Sequence, residues 1–265
     1  MPFTISHAAA VLPLRGFGKF RLPLAALMIG SMSPDFAYFL PGDLERVDTH
    51  SIAGVFWFSW PVSIGLWLLF VRVLEQPTRA LLPDGWHARF VPSDQALTLQ
   101  TLTLASIAVI LGALTHLLWD SFTHRGTLMV KLLPALHAVA FHYHGWRVRW
   151  FVVLQHLSTI VGLLLLVIWA WRLPPTLSFP RAFSAASHAT RVGAVAALIA
   201  ATFGLAFANF LFHSDTWFLR RLFHFAIGGM TGGVISWIAI ALWIRARATL
   251  FARKADSVYT GDQTE

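Results

Sequence analysis

Trp150-Phe-Val-Val-Leu-Gln-His-Leu-Ser-Thr-Ile-Val-Gly-Leu-Leu-Leu-Leu-Val-Ile-Trp-Ala-Trp171 holds no formally charged side chain and is bounded by Arg149 and Arg172. A helix of about 20 such residues crosses a hydrocarbon core of roughly 30 Å, whereas a surface helix of a soluble domain needs a polar face. Tryptophans at both ends suit the two interfaces, and the flanking arginines suit the lipid headgroups. The stretch therefore reads as a membrane-spanning helix. Ile52 to Leu74, Ala96 to Trp119, Val192 to Phe212 and Leu222 to Ile244 have membrane length with little internal charge and read the same way.

Composition agrees with this reading. Hydrophobic residues make up 57% of the chain and charged residues 12%, about half of the roughly 25% charged fraction of a soluble domain. A water-soluble fold is excluded. The expected fold class is all-α: a polytopic membrane bundle of about five spanning helices, with residues 1–250 as one embedded domain and 251–265 as a polar tail. The segment Leu22 to Leu40 is apolar but contains Ser31, Ser33, Pro34 and Asp35. A Pro-Asp pair at membrane depth must line a cavity or lie at the surface, so a short or re-entrant helix is expected there. Val130 to Tyr143 is too short to span and is expected as an interfacial helix.

The formal net charge is +8, yet no nucleic-acid partner is expected. The basic residues stand singly or in pairs beside apolar segments, as at Arg72, Arg172, Arg191, Arg220, Arg221, Arg245 and Arg247. There they meet anionic headgroups, which makes membrane lipids the first expected partner. The apolar stretch after His7 is short, contains Pro13 and runs into Arg15, Lys19 and Arg21, so Met1 to His7 is expected to be retained rather than cleaved. The basic residues divide ten and ten between the two sides of the five spans, so charge does not orient the chain.

Cysteine is absent, which excludes disulfides, thiol catalysis and thiolate ligation. Any metal must be held by His, Asp, Glu or backbone oxygen. All histidines except His87 and His188 fall on or near one face of the membrane, together with Asp35 and Asp120. The densest local pattern is His116-Leu-Leu-Trp-Asp120-Ser-Phe-Thr-His124. Residues four apart share a helix face at about 6 Å, so His116 and Asp120 can share a cation, and His124 continues that face if the helix continues. Asp35 in Gly30-Ser-Met-Ser-Pro-Asp35, His50 in Asp48-Thr-His-Ser51, His7 and His156 supply further donors, with Asp48 placed to orient His50. For His156, inside the third span, an interhelical hydrogen bond is the competing role.

The start Pro2-Phe-Thr-Ile-Ser-His-Ala-Ala-Ala-Val-Leu-Pro13, with Gly30 to Asp35 and His116 to His124, resembles a family of uncharacterised bacterial integral membrane proteins over most of the chain. In its order of His and Asp residues that family is similar to membrane-bound metal-dependent hydrolases, and more remotely to the zinc-dependent phospholipase C and single-strand nuclease superfamily. The resemblance implies a first metal on Asp35, His50, His116 and Asp120. Asp120 would bridge to a second metal touched by His7, and His124 and His156 would serve a third. Ile160 stands where the soluble enzymes carry an acidic residue after His156, so one or two metals are expected rather than three. Asp35 and Asp120 are the candidate catalytic carboxylates.

Imidazole and carboxylate suit divalent zinc, the expected cofactor, and also manganese. Such an ion lowers the pKa of bound water to about 7 and offsets charge developing on a phosphodiester. The expected function is an integral membrane metal-dependent hydrolase, with metal-activated water as nucleophile and a lipid or lipid-linked phosphoester as substrate. Arg125, Arg147 and Arg149 are candidate phosphate contacts. The expected location is the bacterial cytoplasmic membrane. Two other classes compete: a proton-coupled permease with His116, Asp120 and His156 as relay, and a non-catalytic scaffold with a structural metal.

Overall fold

The structure, a computed structural model, describes residues 3–16, 21–40, 46–83, 86, 89–90, 96–174, 186–214 and 218–261. Residues 262–265 of the expected tail lie outside the described residues. After a 3-10 helix over Thr4–Gly16 come α1 (Leu24–Met32), α2 (Ile52–Leu81), α3 (Leu99–Thr123), a hairpin of β1 (Val139–Tyr143) and β2 (Trp146–Arg149), and α4 (Trp150–Arg172). Two more helices complete the order, α5 (His188–Phe212) and α6 (Phe218–Gly261). Among the described residues five helical segments are long and apolar enough to cross a membrane: Ile52–Leu81, Leu99–Leu132, Trp150–Arg172, His188–Phe212 and Arg220–Thr249. The chain is an all-α, multi-pass membrane protein.

The boundaries follow local chemistry. The second span begins at Leu99 rather than Ala96 because Thr98 and Thr101 form a reciprocal capping box. The fourth begins at His188 because the Ser187 hydroxyl accepts from Thr190 N. The first span contains two π-helical stretches, Val55–Ser59 and Phe70–Leu74. Each lies just before a proline, Pro61 or Pro77, whose missing N–H and ring leave no room for a regular ladder.

Contacts divide the chain into two compact units, Met1–Leu68 with Asp94–Leu173, and Leu69–Ser93 with Pro174–Glu265. In the second, α5 and α6 pack through small residues. A Cβ on Gly232 would lie 2.5 Å from the Ala201 carbonyl oxygen, and one on Gly228 would lie 2.6 Å from that of Leu205. Small residues allow such backbone approach where lipid gives no hydrophobic drive for association. Trp237 Nε1 donates to Thr78 Oγ1 at 2.7 Å in the same unit.

The first unit is built around a closer crossing, α1 on α3. A Cβ on Gly30 would run into the Val109 backbone, and one on Gly112 would strike Leu27 O and lie 2.7 Å from Ser31 N. The 3-10 helix packs on α4 in the same manner, because a Cβ on Gly162 would lie 2.7 Å from Ser6 O. Phe3 N also donates to Thr159 Oγ1 at 3.0 Å.

Leu22 to Leu40 forms a short helix as expected, in two parts. α1 passes at Ser33 into a 3-10 helix, Ser33–Phe39, with Pro34 at its start. Beyond α3 the chain departs from the single interfacial helix expected over Val130 to Tyr143. Only Leu128–Leu132 and Pro134–His137 are helical, and Val139–Tyr143 pairs antiparallel with Trp146–Arg149. The cause is the turn: His144 and Gly145 adopt φ of 47° and 81°, the left-handed pair that closes a two-residue hairpin.

Candidate metal centre

Three close crossings bring the donors together. One turn beyond Gly112, α3 presents His116, and two turns beyond it Asp120. Just past α1, the 3-10 turn presents Asp35. The 3-10 helix seated on Gly162 presents His7. His50 arrives from the turn before α2, where the Ser51 hydroxyl caps Gly54 N at 2.9 Å and Gly54 admits the Thr49 carbonyl. His7, Asp35, His116 and Asp120 are all at most 3% exposed.

The polar distances are informative. His116 Nε2 lies 3.7 Å from Asp35 Oδ1 and 3.6 Å from Asp120 Oδ2. His7 Nε2 lies 3.6 Å from Asp120 Oδ1, and His50 Nε2 lies 3.2 Å from Asp35 Oδ1 and 3.7 Å from Asp120 Oδ2. Most of these separations are too long for hydrogen bonds. They match the edge of a coordination tetrahedron, which is about 3.3–3.6 Å for ligand bonds of roughly 2.0–2.2 Å. Two overlapping groups, His7–Asp35–His116 and His50–His116–Asp120, each keep their donor atoms within 4.8 Å of one another.

Protonation logic points the same way. His116 Nδ1 donates to Ser31 O at 2.8 Å, a carbonyl that can only accept, so in the neutral ring Nε2 is the nitrogen with the lone pair. That Nε2 and both ring nitrogens of His7 are buried without a hydrogen-bond partner among the described residues. Orphaned buried nitrogens are costly unless something binds them. Burial, with the nearby charge of His116 second, pushes the His7 imidazole down to about 3, so at neutral pH it is a lone-pair donor. Burial alone would raise the Asp35 carboxyl, but hydrogen bonds from His50 and Thr4 and the charge of His116 hold it below the usual carboxylate range. With every imidazole deprotonated, as ligation requires, the two carboxylates carry a charge of about −2, which one divalent cation cancels.

The supporting contacts were not evident from the sequence. Thr4 Oγ1 donates to Asp35 Oδ2 at 2.7 Å, and the Thr49 hydroxyl stands 3.1 Å from His50 Nδ1. The available signal was spacing, since Thr4 precedes His7 by one 3-10 turn and Ser31 precedes Asp35 by four residues. Thr4→Val is expected to lower metal affinity by about 10–100-fold, as losing an outer hydrogen bond to a ligand does. Titration of the apo protein with zinc against a competing chelator measures it. An unchanged affinity would remove Thr4 from the site.

His124, which belongs to neither ligand group, comes beside Asp120 by a different route from the one its spacing predicts. α3 stops at Thr123, yet the His124 ring folds back so that Nδ1 lies 3.4 Å from Asp120 Oδ2. His156 is exposed on α4 and belongs to neither ligand group. Arg125 and Arg147 are exposed, and Arg149 donates to His137 O at 2.8 Å. None of the three arginines belongs to the ligand groups.

No curated protein and no solved structure matches the chain. A family model does, over residues 1–245, and the chain accordingly belongs to the family described as a domain of unknown function (DUF4184).

Proposed function

We propose that the chain is an integral membrane metal-dependent hydrolase acting on a phosphoester, with zinc or manganese as its ion. Its substrate is a lipid or lipid-linked phosphate of the bacterial cytoplasmic membrane. The observation that supports this most is the set of orphaned nitrogens on His7 and His116 beside two buried carboxylates. His7, Asp35, His50, His116 and Asp120 would hold the ion, with His124 against the outer side of Asp120.

A divalent ion bound there supplies a water of pKa about 7 and a counter-charge for a phosphoryl group. The chain's own residues do the rest. Ser31 O fixes the His116 tautomer, Thr4 fixes the Asp35 carboxylate, and the rings of His7 and His116 stack at 3.8 Å, which sets both Nε2 atoms toward Asp120. Asp35 and Asp120 would be the catalytic carboxylates. The permease alternative requires His156 in line with His116 and Asp120, and the exposed position of His156 does not favour it.

The test is turnover by the zinc-loaded protein, in nanodiscs, of phospholipids and of bis-p-nitrophenyl phosphate. Hydrolysis that disappears with chelator and returns with zinc is the expected result. Stoichiometric metal with no turnover of any phosphoester would leave a structural metal and overturn the enzyme reading.

A further inference from the structure

The hairpin between α3 and α4 has two unlike faces. Cross-strand partners share a face, and the register pairs Tyr143 with Trp146, Phe141 with Val148 and His142 with Arg147. One face therefore gathers Phe141, Tyr143, Trp146 and Val148, and the other gathers His142, Arg147 and, past the bulge at Ala140, Arg149. The aromatic face is uncovered, with Tyr143 63% and Trp146 77% exposed.

Position limits what can cover it. Trp150, the first residue of a spanning helix, follows β2 without a linker, and its N–H donates to Ala138 O at 3.1 Å. The hairpin is thereby pinned where the polypeptide enters the bilayer. Beneath it lies an apolar groove of about 390 Å³ lined by Ala135, Leu136, Ala138, Trp150 and Leu154. Arg149 and His137, each next in sequence to lining residues of the groove, are joined by the bond from Arg149 Nη1 to His137 O.

We infer that this hairpin and groove form a phospholipid-binding site, in which an acyl chain occupies the groove and the lipid phosphate meets Arg147 and Arg149. The aromatic face rests in the glycerol and upper acyl region, where Trp and Tyr are favoured, and the basic face turns to the phosphates. An aqueous location would leave three large aromatics and an apolar groove bare. The groove's continuity with the lipid-facing first turns of α4 favours lipid over a partner protein. Two of the three arginines expected from sequence to meet phosphate thus acquire a role at the bilayer surface, one that does not depend on the metal.

Because the chain lacks cysteine, single cysteines report single sites. The full chain carrying Ala138→Cys, Tyr143→Cys or Arg147→Cys, labelled with a small fluorophore, would be placed in phosphatidylglycerol nanodiscs. It would be quenched in turn by acyl-nitroxide lipid and by iodide. Each variant is first checked for wild-type elution and zinc content, so that a misfolded one is not read. Residues 138 and 143 are expected to be quenched several-fold more by the lipid nitroxide than by iodide, and residue 147 the reverse. Equal access of iodide to all three would place the hairpin in water and overturn the proposal. Shielding of 138 and 143 from both quenchers would overturn it in favour of a protein cover. No turnover is read, so the result stands apart from the hydrolase assignment.

Discussion

Gly112→Leu is expected to empty the metal centre although residue 112 holds no ligand. Its Cα faces the backbone of α1, with Ser31 N 2.7 Å from where a Cβ would stand and Leu27 O closer still. Backbone cannot yield as a flexible side chain can, so α1 must move away from α3. That movement breaks the bond between His116 Nδ1 and Ser31 O and separates Asp35, carried just beyond α1, from His116 and Asp120. Overpacking of this kind costs about 1–3 kcal/mol of stability, and the displacement of ligands by an ångström or more costs the bound ion. Zinc content and thermal unfolding of the detergent-purified variant check both effects. The parallel change Gly65→Leu, at a glycine with nothing within 4 Å of a Cβ, is expected to leave zinc content at the wild-type level. Full metal retention in Gly112→Leu would mean that the α1–α3 crossing does not position the site.

Asp120→Asn should be the most damaging single change of a ligand. Among the described residues Asp120 is the only carboxylate within 4 Å of His7, His50, His116 and His124 together. The amide keeps the shape but removes the charge, leaving one buried carboxylate to balance a divalent ion. Zinc affinity is expected to fall by more than about 100-fold, beyond the range typical of outer contacts, and turnover with it. His156→Ala, which alters an exposed histidine outside both ligand groups, is expected to retain the ion. Competition titrations separate the two variants.

Much of this architecture was legible because lipid imposes a coarse rule. A charge-free run of membrane length has few alternatives, so the segment bounded by Trp150 and Trp171 and its four counterparts could be read directly. The ends needed finer chemistry, such as the Thr98 box and the Ser187 cap. The hairpin was hidden because Val130 to Tyr143 is apolar enough for an interfacial helix, while the deciding residues, His144 and Gly145, lie just past it. Their positive φ values turn the chain before a helix can form.

The site was legible in part for a similar reason. His116 and Asp120 are joined by helical spacing alone, which any reader of periodicity finds. His7, Asp35 and His50 lie far away in sequence, and no helical spacing ties them to α3. What joins them physically is a set of three glycine-mediated backbone approaches, at Gly30 with Gly112, at Gly162 with Ser6 and at Gly54 with Thr49. Glycine at a crossing has no side-chain signature, so those contacts carry no pattern to read. The exposed position of His156 is equally invisible to spacing, because a rotation of α4 by half a turn would reverse it.

The most direct test is elemental analysis of detergent-purified wild type beside the Asp35→Ala, His116→Ala, Asp120→Ala triple variant, with both first shown to be helical and monodisperse. The account predicts roughly one or two zinc or manganese ions per wild-type chain and none in the variant. Wild-type protein that stays free of specifically bound metal after incubation with zinc and with manganese would contradict it.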